Sequence, residues 1–122
     1  MCRSERVGQE RRRHVRVRPA ADYDLKVECL EANGAPLMVV DVSLSGFGFL
    51  LDTVSAEWTA GQKLNVMIEL PSRPPVAAEL TIRHTAGTPN GAAGGELTTL
   101  DDATRSNLRR YVGVLFGRGL SA

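Results

Sequence analysis

Two short stretches carry the side chains that could act on another molecule. The first is Glu10-Arg11-Arg12-Arg13-His14-Val15-Arg16-Val17. A guanidinium is a planar fork of donors that grips phosphate bidentately, takes the O6 and N7 edge of a guanine, and stacks on its face. Several arginines close together could therefore enclose a guanine nucleotide, although a basic segment by itself is more often a solvated tail or a nonspecific polyanion binder. The second stretch is Asp41-Val42-Ser43-Leu44-Ser45-Gly46. Its carboxylate can accept from the N1 and N2 hydrogens of guanine and its Ser43 hydroxyl can donate to a phosphate, while Gly46 lets the backbone turn without obstructing a ligand. A strand ending in an Asx or Ser turn accounts for the same six residues equally well.

Other chemistries find no foothold. The two histidines, His14 and His84, are far apart, and no metalloprotease, nucleophile-elbow or phosphate-loop pattern occurs. Asp101-Asp102 suits a helix N-terminus better than a catalytic carboxylate pair. Cys2 and Cys29 have no C-x-x-C spacing and no nearby histidine, so no metal site is expected: Cys29 belongs in a core and Cys2 in a mobile terminus. The chain reads as non-enzymatic.

With 122 residues, 43% hydrophobic and 24% charged, the sequence suits one soluble domain with a modest core. No apolar run is long enough to cross a bilayer, and charges occupy the place of a signal-peptide core, so a cytoplasmic protein without membrane insertion is expected. The net charge of +1 conceals an uneven distribution. Residues 1–18 hold seven Arg against two Glu, a local excess of +5, whereas the rest holds eight basic and twelve acidic side chains, or −4. An anionic partner for the N-terminal end follows naturally.

The elements that must position these residues are mostly strands. From Tyr23 to Cys29 apolar and polar residues alternate, as in a half-buried strand. Asn33-Gly34 signals a tight hairpin, with Leu37 to Leu44 returning. Alternation there sets Met38, Val40, Val42 and Leu44 on one face and Val39, Asp41, Ser43 and Ser45 on the other. Gly46-Phe47-Gly48 permits a bend or bulge before Phe49 to Leu51. Leu64 to Leu70 and Val76 to Arg83 alternate as further strands, parted by the proline-rich turn at 71–75. A glycine-rich loop, Gly87 to Gly95, leads to a last strand at 96–100. Asp101 opens the only good helix, with Ala103, Leu108, Tyr111, Val112 and Leu115 at helical spacing, and Gly113 and Gly117 predict fraying beyond Leu115. Trp58 reads as a cover on the barrel end rather than a base-stacking residue. Repeated short strands without intervening helices argue for an antiparallel barrel or sandwich.

Taken together and in this order, the two stretches resemble the PilZ family: an arginine segment with R-x-x-x-R spacing at Arg12 and Arg16, preceded by Arg11, and then Asp-x-Ser-x-x-Gly at Asp41, Ser43 and Gly46. Leu100-Asp101-Asp102 and Leu108-Arg109-Arg110-Tyr111 look like the family's last strand entering its C-terminal helix, which extends the resemblance over about residues 9–115. It implies an all-β fold with one C-terminal helix, a six-stranded antiparallel split β-barrel. The layout would be a flexible tail at 1–8, an arginine-rich loop at 9–18, the barrel at 19–100, the helix at 101–115 and a flexible tail at 116–122. It also implies a receptor for cyclic di-GMP, with Arg11, Arg12, Arg16, Asp41, Ser43 and Gly46 at the ligand, and Arg11 resembling the type that takes a stacked ligand pair. The arginine loop would order over the ligand and signal to a downstream protein partner. Spacing assigns no role to Arg13. The family commonly approaches its last strand with apolar or aromatic residues, whereas this chain has glycines between Ala92 and Glu96. Two other functions share the barrel: a PilZ-like interaction module that uses no nucleotide, and a small-barrel nucleic-acid binder. With only 5% aromatic residues, stacking platforms for a nucleic acid are scarce.

Overall fold

The computed structural model describes residues 15–122. Seven strands follow in order: β1 (Lys26–Cys29), β2 (Ala35–Pro36), β3 (Met38–Val42), β4 (Gly46–Leu50), β5 (Lys63–Glu69), β6 (Val76–Thr85) and β7 (Ala92–Leu97), then helix α1 (Asp102–Gly117). All pair antiparallel in one sheet ordered β2-β1-β5-β6-β7-β4-β3. The two sheet ends, β2 and β3, are consecutive in the chain, and Leu37 between them donates its N–H to the Val27 carbonyl at 2.8 Å. The sheet thus curls into a nearly closed barrel. Six of its strands are of ordinary length, and β2 adds a two-residue edge that Pro36 cannot extend.

Alternation fills the interior. Val27 and Cys29 of β1, Leu64, Val66 and Ile68 of β5, Leu80 and Ile82 of β6, and Phe47 and Phe49 of β4 are all buried. Trp58 caps this core, its ring edge-on to Phe49 at 6.2 Å between centroids. Asp101 caps α1 by accepting the Thr104 N–H at 2.7 Å, and Thr104, Leu108, Tyr111, Val112 and Leu115 bury one stripe of the helix.

Four local readings of the sequence are corrected here. The loop after β1 is longer than a tight hairpin: a 3-10 turn at Leu30–Ala32 precedes Asn33 and Gly34, both at positive φ, and β3 pairs with β4 instead of β1. The residues Gly46 to Gly48 lie within β4, and the bend falls just before them. The glycine-rich stretch contains β7, because Gly94 and Gly95 continue a ladder between β4 and β6. Finally, α1 does not fray at Leu115. Gly119, at φ +79, lets the Gly119 N–H reach the Phe116 carbonyl and the Leu120 N–H reach the Leu115 carbonyl, a Schellman closure. Residues beyond it turn back, so that the Arg18 N–H bonds to the Leu120 carbonyl and the Ala122 N–H to the Arg16 carbonyl, where a flexible tail was expected.

Candidate functional site

Val17 is fully buried and exchanges two hydrogen bonds of 2.8 Å with Val42, the last residue of β3. Period-two alternation then turns Arg16 outward beside β3, where its Nη1 lies 3.4 Å from Asp41 Oδ1. That contact engages one nitrogen of a half-exposed guanidinium and leaves its other donors available. A half-exposed ion pair of this length is worth only about 0.2–1 kcal/mol.

Asp41 reaches this position through a β-bulge. Val39 pairs with Phe49 and Asp41 with Gly48, so Val40 is an extra residue in β3. The bulge shifts the phase of alternation: Val39 packs on the core, Met38 and Val40 are exposed, and Val42 is buried. This differs from the simple alternation, which set Val42 with Met38 and Val40. Asp41 Oδ1 also accepts the Gly48 N–H at 3.0 Å, and a Cβ on Gly48 would lie 2.9 Å from Asp41 Oδ2, so the carboxylate lies directly on the β4 backbone.

Ser43 begins the turn between β3 and β4, its N–H bonded to the Gly46 carbonyl at 2.8 Å. Its buried Oγ accepts the Ser45 N–H at 3.2 Å and lies 3.2 Å from Ser45 Oγ, so the hydroxyl pair sits at the turn that ends the motif. The φ of Gly46 is not positive; glycine is needed for close approach instead. A Cβ there would collide with the Gly95 carbonyl and lie 3.0 Å from Glu96 Cα.

A second bulge forms the opposite wall. Ile82 pairs with Gly95 and His84 with Gly94, which makes Arg83 the extra residue of β6 and exposes Arg83 and His84 together. Arg83 Nε donates to Glu96 Oε1 at 2.8 Å, with Nη2 on the same oxygen. The His84 imidazole lies across Gly94, where a Cβ would meet its Cε1 at 2.8 Å. Between these walls lies an open cleft of about 160 Å³, whose lining includes Arg16, Ser43, Gly46, Arg83, His84 and Glu96. It is small beside the roughly 300–1,000 Å³ of a pocket that encloses a drug-sized ligand. The Arg16 guanidinium, an Arg83–Glu96 pair, hydroxyls and a flat imidazole beside bare glycine backbone suit one planar, hydrogen-bonding ligand edge.

Of the residues singled out from the sequence, Arg16, Ser43 and Gly46 line this cleft, and Asp41 adjoins it through Arg16. Arg11, Arg12 and Arg13 lie outside the described residues. Arg83, His84 and Glu96 were not singled out as site residues. Their signal was Arg83-His84, two polar residues in succession where strict alternation allows one. Among the described residues no group of His, Cys, Asp and Glu could hold a metal ion, and no helix is long and apolar enough to cross a membrane.

Known proteins with this fold bear on the assignment. The structure of the K. pneumonia MrkH–c-di-GMP complex superposes with a TM-score of 0.70 at 14% identity, covering 88% of this chain and 53% of that one. YcgR from Escherichia coli, solved in complex with c-di-GMP, gives 0.68 at 15% identity over 89% and 47% of the two chains. The Bacillus subtilis inhibitor of motility, MotI/DgrA, gives 0.63 at 16% identity over 90% and 51%. This chain therefore spans about half the length of each, and at such identities the likeness is one of fold. No curated protein matches the sequence. The family model of the PilZ domain matches residues 10–113, nearly the whole chain, and the chain belongs to the PilZ domain family.

Proposed function

We propose that this PilZ domain is a non-catalytic cytoplasmic receptor for cyclic di-GMP, acting as one unit over about residues 9–115. Arg11, Arg12, Arg16, Asp41, Ser43 and Gly46 form its ligand site in this reading. The observation that carries it is that Arg16, from the R-x-x-x-R segment, and Ser43, from the Asp-x-Ser-x-x-Gly segment, line one open cleft, with Asp41 beside it on Arg16. Two proteins of the same fold were solved as complexes with c-di-GMP, which supports the choice of ligand. In chemical terms, Arg16 presents a fork to a guanine O6/N7 edge or a phosphate. The Asp41 Oδ2, which has no hydrogen bond in the described structure, accepts from guanine N1–H and N2–H. The cleft has room for about one base, so the rest of a dinucleotide extends beyond it, and this reading assigns Arg11 and Arg12 to that part. Ordering of that arginine segment over the ligand would then change the surface that a downstream protein reads.

Isothermal titration with cyclic di-GMP tests the reading. Saturable heat is expected, with a stoichiometry near two if Arg11 supports a stacked ligand pair. Alanine at Arg12 or Arg16 should each cost about 1–3 kcal/mol of binding, the range for one lost bidentate base contact. Absence of heat at saturating ligand rejects the receptor assignment. Full affinity in both variants rejects the site.

A further inference from the structure

A second cavity lies away from the cleft, between the β5–β6 turn and helix α1. It measures about 310 Å³, and Tyr23, Arg73, Asn107, Arg110 and Tyr111 are among its lining residues. No carboxylate lines it, and neither guanidinium has an ion pair or hydrogen bond among the described residues. Of the two acidic residues flanking Tyr23, Asp22 is occupied by Arg118 at 3.0 Å, whereas Asp24 lies near Tyr111, where its charge adds to burial in raising the pKa of that hydroxyl. The cavity is also built rather than incidental. Tyr23 stacks on Tyr111 at 5.2 Å and 16°, with Arg118 on the Tyr23 ring at 5.5 Å, so one aromatic wall is fixed. The Tyr111 hydroxyl itself is fully buried, close to the Leu25 backbone, and does not open into the cavity. Opposite, the turn Leu70-Pro71-Ser72-Arg73 closes with the Arg73 N–H on the Leu70 carbonyl at 3.1 Å and holds Ser72 at φ 60. A serine in a conformation that ordinarily calls for glycine costs about 1 kcal/mol or more and sets the direction in which Arg73 leaves the turn.

Beside the cavity, Ala103, Arg110, Val114 and Gly117 form a strip on one face of α1 at spacings of seven, four and three, all exposed, with Val114 a partly covered apolar side chain at 37%. Small and apolar residues on both sides of a lone cation leave room for an extended peptide backbone.

We propose that this cavity and strip receive an acidic segment of a partner protein, a carboxylate passing between Arg73 and Arg110 while an adjacent apolar side chain packs on Tyr23. The proposal requires no nucleotide, so it stands or falls separately from the receptor reading above. It does supply a surface through which such a receptor could be read.

The test is a heteronuclear NMR titration of the intact protein with three probes. They are a blocked peptide, acetyl-Gly-Glu-Phe-Gly-amide, its Gln-for-Glu counterpart, and 3-phenylpropionate. The Glu peptide should give saturable shifts at the amides of Tyr23, Arg73, Asn107 and Arg110, with a dissociation constant on the order of 1 mM or below, as a contact of this size allows. The Gln peptide should bind about tenfold more weakly. In Arg73→Gln and Arg110→Gln, both exposed positions whose spectra report an intact fold directly, the Glu-peptide shifts should weaken by a similar factor. Equal binding of the two peptides, undiminished binding in both variants, or shifts confined to other surfaces overturns the proposal. So does binding of 3-phenylpropionate without the peptide, which marks a small-molecule pocket instead of a docking site.

Discussion

Asp41 both satisfies the β4 backbone and pairs with Arg16, and two substitutions separate these roles. The bulge at Val40 takes Asp41 out of regular pairing, and its Oδ1 satisfies the N–H of the buried Gly48 at 3.0 Å. Asp41→Ala leaves that backbone donor unpaired, at a cost of about 1–3 kcal/mol. It also removes the pairing with Arg16, which at 35% and 22% side-chain exposure adds only about 0.2–1 kcal/mol. A total near 2–3 kcal/mol is expected. Asp41→Asn keeps an oxygen in the same place for Gly48 and loses only the charge, so about 1 kcal/mol is expected, the difference between a charged and a neutral acceptor. With a urea dependence of about 1.5 kcal/mol per molar, the unfolding midpoint should fall by about 1.3–2 M for the alanine variant and by less than about 1 M for the asparagine variant. Hydrogen exchange supplies a local check, since the Gly48 amide should lose protection in the first variant and keep most of it in the second. Equal destabilisation by the two substitutions, or an unchanged Gly48 amide in Asp41→Ala, would falsify the role given to the carboxylate.

Gly46→Ala should cost about 2–3 kcal/mol in denaturant unfolding, because its Cβ meets the backbone of β7 and only a parting of β4 from β7 can relieve the clash; a near-neutral result refutes the close-approach account. Gly113→Ala points the other way: the new methyl meets nothing within 4 Å in the middle of α1, so a gain of about 0.5–1 kcal/mol is expected in the same measurement. Acid should weaken the fold by a defined route. Hydrogen bonds from Ser55 lower the pKa of Asp52, and those from Thr104 lower that of Asp101, both from an ordinary 3.8. A carboxyl depressed on folding contributes stability that is fully present above its unfolded pKa and is lost as pH falls through its folded pKa. Stability should therefore fall as pH drops below the ordinary carboxylate value, and Ser55→Ala should flatten part of that decline; an unchanged acid limb speaks against the Asp52 contribution.

The fold was legible where alternation is regular. β5 and β6 begin within a residue of where Leu64 and Val76 open their patterns, because each strand has one buried and one wet face. It was illegible where a bulge breaks the period. Val39-Val40-Asp41 and Ile82-Arg83-His84 each contain an inserted residue, and composition does not say which one leaves the ladder. The glycines of β7 misled for a related reason. A glycine run reads as a mobile loop, yet Gly94 and Gly95 lie in a strand because His84 and Leu80 occupy the space their side chains would need. Arg83, His84 and Glu96 escaped notice because a cleft wall drawn from two strands is a tertiary fact, whereas Asp41, Ser43 and Gly46 are adjacent in the chain.

The same geometry explains why an arginine just ahead of a barrel can be held in place. Val17 is buried between two partners, β3 through Val42 and the chain's last residues through a bridge to Ser121. The Schellman closure of α1 brings those last residues back, so the backbone of Arg16 to Arg18 is hydrogen-bonded on both sides. Any rearrangement of this segment must break bonds to β3 on one flank and to the end of α1 on the other. The cleft, the stretch Arg16 to Arg18 and the helix end are therefore joined by backbone hydrogen bonds rather than by side-chain contacts alone. A substitution at Gly119 that abolishes positive φ should accordingly be felt at Arg16, although the two positions are separated by nearly the whole sequence. Gly119→Val should shift the Arg16 and Val17 amide resonances and shorten their exchange protection, and unperturbed amides there would show that the C-terminal pairing does not constrain the segment.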